Sequence, residues 1–179
     1  MRIQVQSISP EGVRLEYEKT GDWFSETLGD PDERDFTVDG IKVRFSLARL
    51  GRTITVEGRL EARIGLTCCR CLKPLTKDLQ TDFRYAYLPA ERMPREADTE
   101  VTEEDVGIGY YEDVIDLGEV VAEQIVLEIP MKPLCGEECR GLCPYCGIDL
   151  NVADCGHKEK TKSSPFALLR GYPIKKQKR

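Results

Sequence analysis

The chain has 179 residues, of which 40% are hydrophobic and 32% charged, so it can form one domain with appendages or two small domains. No run approaches the ~18 consecutive apolar residues of a membrane span, and the first residues lack the apolar core of a signal peptide. We therefore expect a cytoplasmic protein with no membrane partner, and in that reducing compartment eight cysteines indicate metal or redox chemistry rather than disulfides.

The charge is divided unevenly along the chain. Residues 158–179 contain eight Lys/Arg and one Glu, a balance of +7, and the whole chain carries −6, so residues 1–157 carry −13. An acidic body is unusual for a protein that coats nucleic acid. The distribution favours a basic protein partner for the body, while the tail could separately contact phosphate.

Residues 1–88 are predicted to form an antiparallel β domain. Short strands are expected at 2–8 and 13–17, and the polar residues 18–40 are expected to be loop with at most one short strand. Three longer stretches alternate apolar and polar residues with period two, which is typical of half-buried strands. These stretches are 41–50, 53–66 and 75–88.

The last two of these strands are predicted to form a long hairpin. Gly58 falls on the apolar face of the first of them and indicates a bend or a bulge. The loop between the two strands contains Cys68 and Cys71, a pair with the spacing of metal ligands, and the strands on either side would hold it rigidly. Arg70 lies between them as a candidate phosphate contact, and Cys69 is interpreted as an ordinary thiol.

Residues 89–115 are predicted to be an acidic loop. Residues 89–113 contain nine acidic residues and only two basic ones, both arginines, together with two prolines. Such a composition is typical of a solvated linker, but it also suits a docking patch for a basic protein. The candidate partner-binding carboxylates are Glu100, Glu103, Glu104 and Asp105.

Residues 116–133 are predicted to be a helix that packs on the sheet. Asp116, with Glu119 three residues later, resembles a capping box. Pro130 should end the helix. Apolar residues recur every fourth position as the packing stripe, which comprises Leu117, Val121, Ile125 and Ile129.

Residues 134–164 are predicted to be a zinc-binding segment, followed by a basic tail at 165–179. The segment holds five cysteines and the only histidine of the chain. Gly141 and Gly147 flank a CxxC pair and can supply the unusual backbone angles of a tight metal-binding knuckle. The candidate ligands here are Cys135, Cys139, Cys143, Cys146, Cys155 and His157.

With Cys69 set aside, eight ligands remain, which is enough for two tetrahedral zinc sites. The preferred partition has a long-range site of Cys68, Cys71, Cys135 and Cys139, and a local site of Cys143, Cys146, Cys155 and His157. The alternative is one zinc held by Cys68, Cys71, Cys143 and Cys146, which has the spacing of a zinc ribbon with a long insert.

Catalysis is weakly supported by the sequence. A catalytic zinc keeps an open position and usually has histidine or carboxylate ligands, whereas thiolates can close both of these sites. No phosphate-binding glycine loop or nucleophile elbow is present. A redox CxxC is expected in a βαβ context, not in a hairpin loop. We therefore predict no enzyme activity and no small-molecule substrate.

The order of these motifs resembles the YceD family of large ribosomal RNA subunit accumulation proteins. The resemblance rests on Cys68-Cys-Arg70-Cys71-Leu-Lys-Pro74, Ile115-Asp116-Leu117, a helix ending in Ile129-Pro130, and the specific block Gly141-Leu-Cys-Pro-Tyr-Cys-Gly-Ile-Asp-Leu-Asn151. In many members of the family the final pair is Cys-x-Cys. The Cys155-Gly-His157 of this chain keeps a zinc ligand there, which favours metal over redox chemistry.

The resemblance implies a ribosome-biogenesis factor that supports accumulation of large-subunit ribosomal RNA. It would act by binding a basic ribosomal protein of the large subunit, the large-subunit rRNA, or both. The alternatives are a zinc-dependent nucleic-acid-binding module and a thiol redox or metal-handling protein. The expected fold is α+β, with a curled antiparallel sheet, a packed helix and a C-terminal zinc-binding segment.

Overall fold

A five-stranded sheet organises the protein. The computed structural model describes residues 1–28, 35–93 and 107–157. The large sheet has the order β2-β3-β4-β5-β6, and β1 and β7 form a separate two-stranded sheet. The elements are β1 (Arg2–Gln4), β2 (Val13–Thr20), α1 (Gly21–Leu28), β3 (Phe36–Leu50), β4 (Thr53–Thr67), β5 (Pro74–Pro89), β6 (Ile108–Tyr111), β7 (Val114–Asp116) and α2 (Leu117–Leu127).

The strands β3, β4 and β5 are long, with 15, 15 and 16 residues, because their sequences alternate without a break. They pair in antiparallel register, whereas β6 joins β5 in parallel. The expected α+β class and the mostly antiparallel sheet are therefore confirmed. The strong curl expected of the sheet stays a prediction.

The hydrophobic core lies between one face of the large sheet and the helices. In α2 the predicted stripe is buried at Leu117, Val121 and Ile125. The backbone N–H of Gly118 donates to the Asp116 side chain at 2.8 Å, which confirms Asp116 as the N-terminal cap. The helix ends at Leu127, shortly before Pro130.

Three segments differ from the sequence predictions. Residues 18–40, expected to be loop, include the end of β2, the helix α1 and the start of β3. The two turns of α1 bury only Phe24 among residues 21–27, so no repeating apolar stripe marked it as a helix. Residues 108–115, assigned to the acidic loop, contain β6 and most of β7, and the strand expected at 2–8 stops at Gln4. These short strands depend on pairing with distant partners, which local patterns do not encode.

The bulge predicted at Gly58 was wrong, whereas a bend there stays a prediction. The pairing runs through Phe45, Gly58 and Phe83 without a shift, and the one irregularity between β3 and β4 lies between Val38 and Gly40. Gly58 is instead a site of close approach, because an added Cβ would lie 2.1 Å from Cζ of the Phe83 ring. The absence of a side chain lets the tip of the Phe83 ring approach the backbone of β4.

The opposite face of the sheet is polar and laced with ion pairs. Arg59 contacts Asp82 at 2.7 Å and Arg63 contacts Asp78 at 2.7 Å, in each case across the β4–β5 pairing. The charged residues of this face in β2, β3, β4 and β5 include six basic and six acidic ones. They are Arg14, Lys42, Arg44, Arg59, Arg63 and Arg84, with Glu16, Glu18, Glu57, Glu61, Asp78 and Asp82.

Candidate metal centres

Two groups of four donor atoms come together in the described part of the chain. Cys68, Cys71, Cys135 and Cys139 form one group, called site A, and Cys143, Cys146, Cys155 and His157 form the other, called site B. Within each group the ligand atoms all lie within 4.8 Å of one another. The two sets coincide with the preferred partition from sequence, and Cys143 and Cys146 do not join Cys68 and Cys71.

Site A joins the tip of the β4–β5 hairpin to the segment after α2. The hairpin tip is closed by the Cys68 N–H, which donates to the Lys73 carbonyl at 2.9 Å, and by the Leu72 N–H, which donates to the Cys68 carbonyl at 2.9 Å. The Cys69 N–H donates to the Pro133 carbonyl at 2.9 Å and so holds the incoming segment against the tip. Residues 135–139 then complete the cluster.

The sulfur spacing at site A suits a tetrahedral metal. The Cys68 and Cys139 sulfurs are 3.8 Å apart, and the Cys71 and Cys135 sulfurs are 3.5 Å apart. A tetrahedral zinc with Zn–S bonds of about 2.3 Å would place its sulfurs about 3.8 Å apart. Site A can therefore hold a metal ion.

The thiols of site A have opposing tendencies to ionise. The backbone N–H of Cys71, followed by that of Arg70, lowers the pKa of Cys68 to about 6. Contacts with the thiols of Cys139 and Cys71 raise the pKa of Cys135 to about 12. One thiol of the cluster therefore ionises easily, whereas the negative charge of its neighbours opposes ionisation of another. A divalent cation would offset this repulsion and stabilise the ionised cluster.

Site B is built on a short hairpin with a backbone bridge between Leu142 and Asp149. The Cys143 N–H donates to the Ile148 carbonyl at 2.8 Å. Gly141 and Gly147 have φ angles of +75° and +74°, the left-handed values predicted for the knuckle. The hairpin presents both cysteines of the CxxC pair toward Cys155 and His157.

The donor geometry of site B also suits a metal. Nδ1 of His157 lies 3.9 Å from the Cys143 sulfur and 3.3 Å from the Cys155 sulfur. A tetrahedral zinc would place such a nitrogen and sulfur about 3.6 Å apart. The backbone N–H groups of Tyr145 and Cys146 lower the pKa of Cys143 to about 6. The Tyr145 ring lies 5.7 Å from the imidazole ring, so it helps to orient the histidine.

The remaining predicted residues are placed as follows. One guanidinium nitrogen of Arg70 donates to the carbonyl of Cys139 at 2.8 Å and to that of Glu137 at 3.3 Å, so this side chain braces site A. Its predicted contact with a partner stays a prediction. Cys69 is exposed and belongs to neither site. The candidate carboxylates Glu100, Glu103, Glu104 and Asp105 lie outside the described residues.

Sequence reasoning missed the polar residues that connect the two sites. The Lys73 ammonium contacts the Asp149 carboxylate at 2.6 Å, and the Asn151 side-chain N–H₂ donates to the Cys139 sulfur at 3.5 Å. The Asp149 carboxylate, and more weakly the thiolates of Cys71 and Cys135, raise the pKa of Lys73. A signal for two of them was present, because Asp149 and Asn151 lie in the block that follows the CxxC pair of site B.

A protein-family model described as "Large ribosomal RNA subunit accumulation protein YceD" matches residues 56–171. The chain belongs to the YceD family. The match covers β4 from Val56 onward, β5, α2 and both candidate metal sites of this YceD protein. The family description concerns ribosomal RNA of the large subunit and names no reaction.

Relatives of this YceD protein occur in mycobacteria and in a plant. An uncharacterized protein of Mycobacterium tuberculosis is 33% identical over 118 residues, which are 65% of this chain and 54% of the relative. An uncharacterized protein of Mycobacterium leprae is 29% identical over 118 residues, 65% of this chain and 52% of the relative. The chain thus spans about half the length of the mycobacterial relatives it matches.

The plant relative is the large ribosomal RNA subunit accumulation protein YCED homolog 1, chloroplastic, of Arabidopsis thaliana. It is 37% identical over 59 residues, which are 31% of this chain and 18% of the relative. No solved structure matches the chain. None of the helices in the described ranges combines the length and apolar character needed to cross a bilayer.

Proposed function

We propose that this YceD-family protein is a non-enzymatic ribosome-biogenesis factor that supports accumulation of large-subunit ribosomal RNA. It acts by binding, and its proposed partner is a basic ribosomal protein of the large subunit; large-subunit rRNA is the alternative partner. The observation that carries the proposal is the family match over residues 56–171, which includes both cysteine clusters.

Zinc is the proposed metal at both sites. Thiolate and imidazole donors suit zinc, and four-donor sites of the Cys₄ and Cys₃His types are typical of structural zinc. Four protein donors at each site leave no open position for a substrate or a water molecule, which supports a structural role. The metal would stabilise residues 134–157, where only Cys139, Gly141 and Cys143 are buried.

The distribution of charge supports a protein partner over a phosphate backbone. Residues 1–157 carry a balance of −13, and the polar face of the sheet carries acidic as well as basic residues. Four of its five arginines are paired with carboxylates, as in the Arg59–Asp82 and Arg63–Asp78 pairs. A basic ribosomal protein would be attracted by this body, whereas nucleic acid would be repelled by its net charge.

The proposal is tested first by metal content and then in cells. Elemental analysis should find two zinc ions per chain, and a thiol reagent should react rapidly with one cysteine, Cys69, because the other seven are bound to metal. Cys69→Ser is the control and should remove the fast reaction. The single-site alternative predicts a different result. The natural chain would then bind one zinc, and a Cys135→Ser, Cys139→Ser variant would retain it. Seven or eight fast thiols in the native protein would support the redox alternative.

In cells, a deletion strain should contain fewer mature large subunits on sucrose gradients, and the intact chain should restore them. Neutralising Glu100, Glu103, Glu104 and Asp105 should weaken rescue, because such charges steer the encounter with a basic partner. The matched control neutralises four exposed carboxylates elsewhere, at Glu11, Glu26, Glu128 and Glu138. It loses the same charge and should rescue fully.

Removal of residues 175–179 distinguishes protein from RNA binding. This truncation should leave rescue nearly intact. A defect confined to the truncation, together with a steep loss of rRNA binding as salt increases, would support direct RNA binding instead. Normal large-subunit levels in the deletion strain would contradict the biogenesis proposal itself.

A further inference from the structure

The turn that follows the CxxC hairpin of site B lies against site A. One N–H of the Asn151 side chain donates to the Cys139 sulfur, a site A ligand, at 3.5 Å. The Asn151 Oδ1 accepts from the backbone N–H of Arg140 at 2.7 Å. A single side chain from the segment that carries site B thus contacts both a ligand of site A and the residue after it.

Asp149 holds Asn151 in this orientation. Its Oδ1 accepts from the Asn151 backbone N–H at 2.9 Å and from the other side-chain N–H of Asn151 at 2.7 Å. Its Oδ2 contacts the ammonium of Lys73, in the hairpin tip of site A, at 2.6 Å, and the side chain is 17% exposed. The carboxylate therefore connects the site A hairpin with the turn that aims Asn151.

The backbones of the two sites are joined as well. The Leu142 N–H, one residue before Cys143, donates to the Arg70 carbonyl at 3.1 Å. The Arg70 guanidinium donates in turn to the Cys139 carbonyl at 2.8 Å. The hairpin of site B consequently stands on the hairpin of site A, and ordering one of them positions groups around the other.

We propose that Asn151 is a positioning residue for site A, and that metal binding at sites A and B is cooperative through it. Four thiolates around a divalent cation carry a net charge of −2, which N–H donors to sulfur offset, and such contacts around a ligand commonly change metal affinity about 10–100-fold. A metal at site B fixes residues 143–157 and with them Asn151, so the cost of ordering this donor is already met when site A binds its metal. The inference rests on the proposal that both sites bind a metal.

The experiment uses the full chain loaded with cadmium-113, whose NMR shift separates a four-sulfur site from a site with three sulfurs and one nitrogen. Site A affinity is measured by competition with a chelator in four proteins. These are the natural chain, Asn151→Ala, a site B variant with Cys155→Ser and His157→Ala, and the combination. Asn151→Ala and the site B variant should each lower site A affinity about 10–100-fold. The combination should be no weaker than Asn151→Ala alone, because site B acts on site A through that one contact.

Two further variants separate the N–H···S contact from the shape of the turn. Asn151→Asp keeps an acceptor for the Arg140 N–H but replaces the donor to sulfur by a carboxylate oxygen, so it should lower site A affinity at least as much as Asn151→Ala. Val152→Ala is the control, because Val152 lies in the same turn and is 76% exposed, and it should change nothing. The four-sulfur cadmium resonance should shift in both Asn151 variants and stay in place in the control.

Several results would overturn the inference. One is unchanged site A affinity in Asn151→Ala or Asn151→Asp, and another is a combination whose effect is the product of the two separate effects. Should an Asn151 variant fail to fold, the reciprocal measurement decides. Cys135→Ser at site A must then lower the cadmium affinity of site B by the factor by which the site B variant lowers the affinity of site A, because coupling is mutual. A natural chain that binds no cadmium would refute the metal proposal directly, which the metal content shows before any affinity is compared.

Discussion

Substitution of Gly58 by alanine should destabilise the sheet by displacing Phe83. The added Cβ would lie 2.1 Å from Cζ of the Phe83 ring, whereas carbon atoms normally approach to about 3.5–4.0 Å, so the tip of the ring must move by about 1.5–2 Å. Phe83 makes edge contacts with Phe45 and Tyr85, at centroid distances of 5.9 and 6.1 Å. The displacement would weaken both contacts.

The expected loss is about 1–5 kcal/mol in the free energy of unfolding. Overpacking of a core typically costs about 1–3 kcal/mol, and each aromatic pair contributes about 0.5–1.5 kcal/mol. Replacing glycine within a strand returns about 0.5–1 kcal/mol. The loss should be equal with zinc and with a chelator, because the core around Phe83 is separate from the cluster formed by Cys68, Cys71 and Cys139.

Urea unfolding followed by circular dichroism measures this loss. Gly40→Ala is the matched control in β3, because its Cβ would meet nothing closer than the Lys19 carbonyl at 4.0 Å, and it should be neutral. In a Phe83→Leu background the penalty of Gly58→Ala should fall below about 0.5 kcal/mol, since the shorter side chain lacks the ring atoms that collide. A Gly58→Ala protein as stable as the natural chain, or an undiminished penalty beside Leu at position 83, would refute the close-approach argument.

Two further predictions concern the metal and the cap of α2. Chelation should increase hydrogen exchange in residues 134–157 before residues 36–89, because the sheet has its own apolar core; a uniform increase would mean that the metal holds the whole fold. Burial alone would raise the pKa of the Asp116 carboxyl, but hydrogen bonds from Arg2 and from the Gly118 N–H outweigh burial and lower this pKa. The charged form therefore stabilises the fold above the ordinary pKa of about 3.9, and this contribution is lost as pH falls through the lower folded value. Asp116→Asn in the chelated chain should cost stability at pH 6 and progressively less below pH 4, as measured by urea unfolding; a pH-independent difference would contradict the assignment.

The sequence predicted the parts of the fold that repeat. The alternation in residues 53–66 extends over a whole strand, so β4 was placed to within one residue at its end. The helix α1 escaped prediction because only Phe24 is buried among residues 21–27, and β6 because a four-residue strand depends on β5 for its hydrogen bonds. Each of these is decided by a distant neighbour.

The candidate metal sites also have features that the sequence predicted and features that it did not. The grouping of eight donors into two sets of four follows from spacing, since Cys143, Cys146, Cys155 and His157 are close in sequence. The contact of Lys73 with Asp149 joins residues that are far apart in the sequence, and the contact of Asn151 with Cys139 joins residues on either side of the site B hairpin. They depend on how the two hairpins stack, which no periodicity in the sequence records.

Site A has a consequence for the order of events during synthesis. Cys68 and Cys139 are 71 residues apart, and at about 5–20 residues per second the ribosome needs roughly 4–14 s to pass from one to the other. Throughout that interval the nascent hairpin exposes two thiols that have no partners, so it is open to oxidation or to capture of another metal. Site B, whose donors span residues 143–157, is completed within a much shorter interval and only after Cys139 has been made. Both metals must therefore enter after residue 139 has been made.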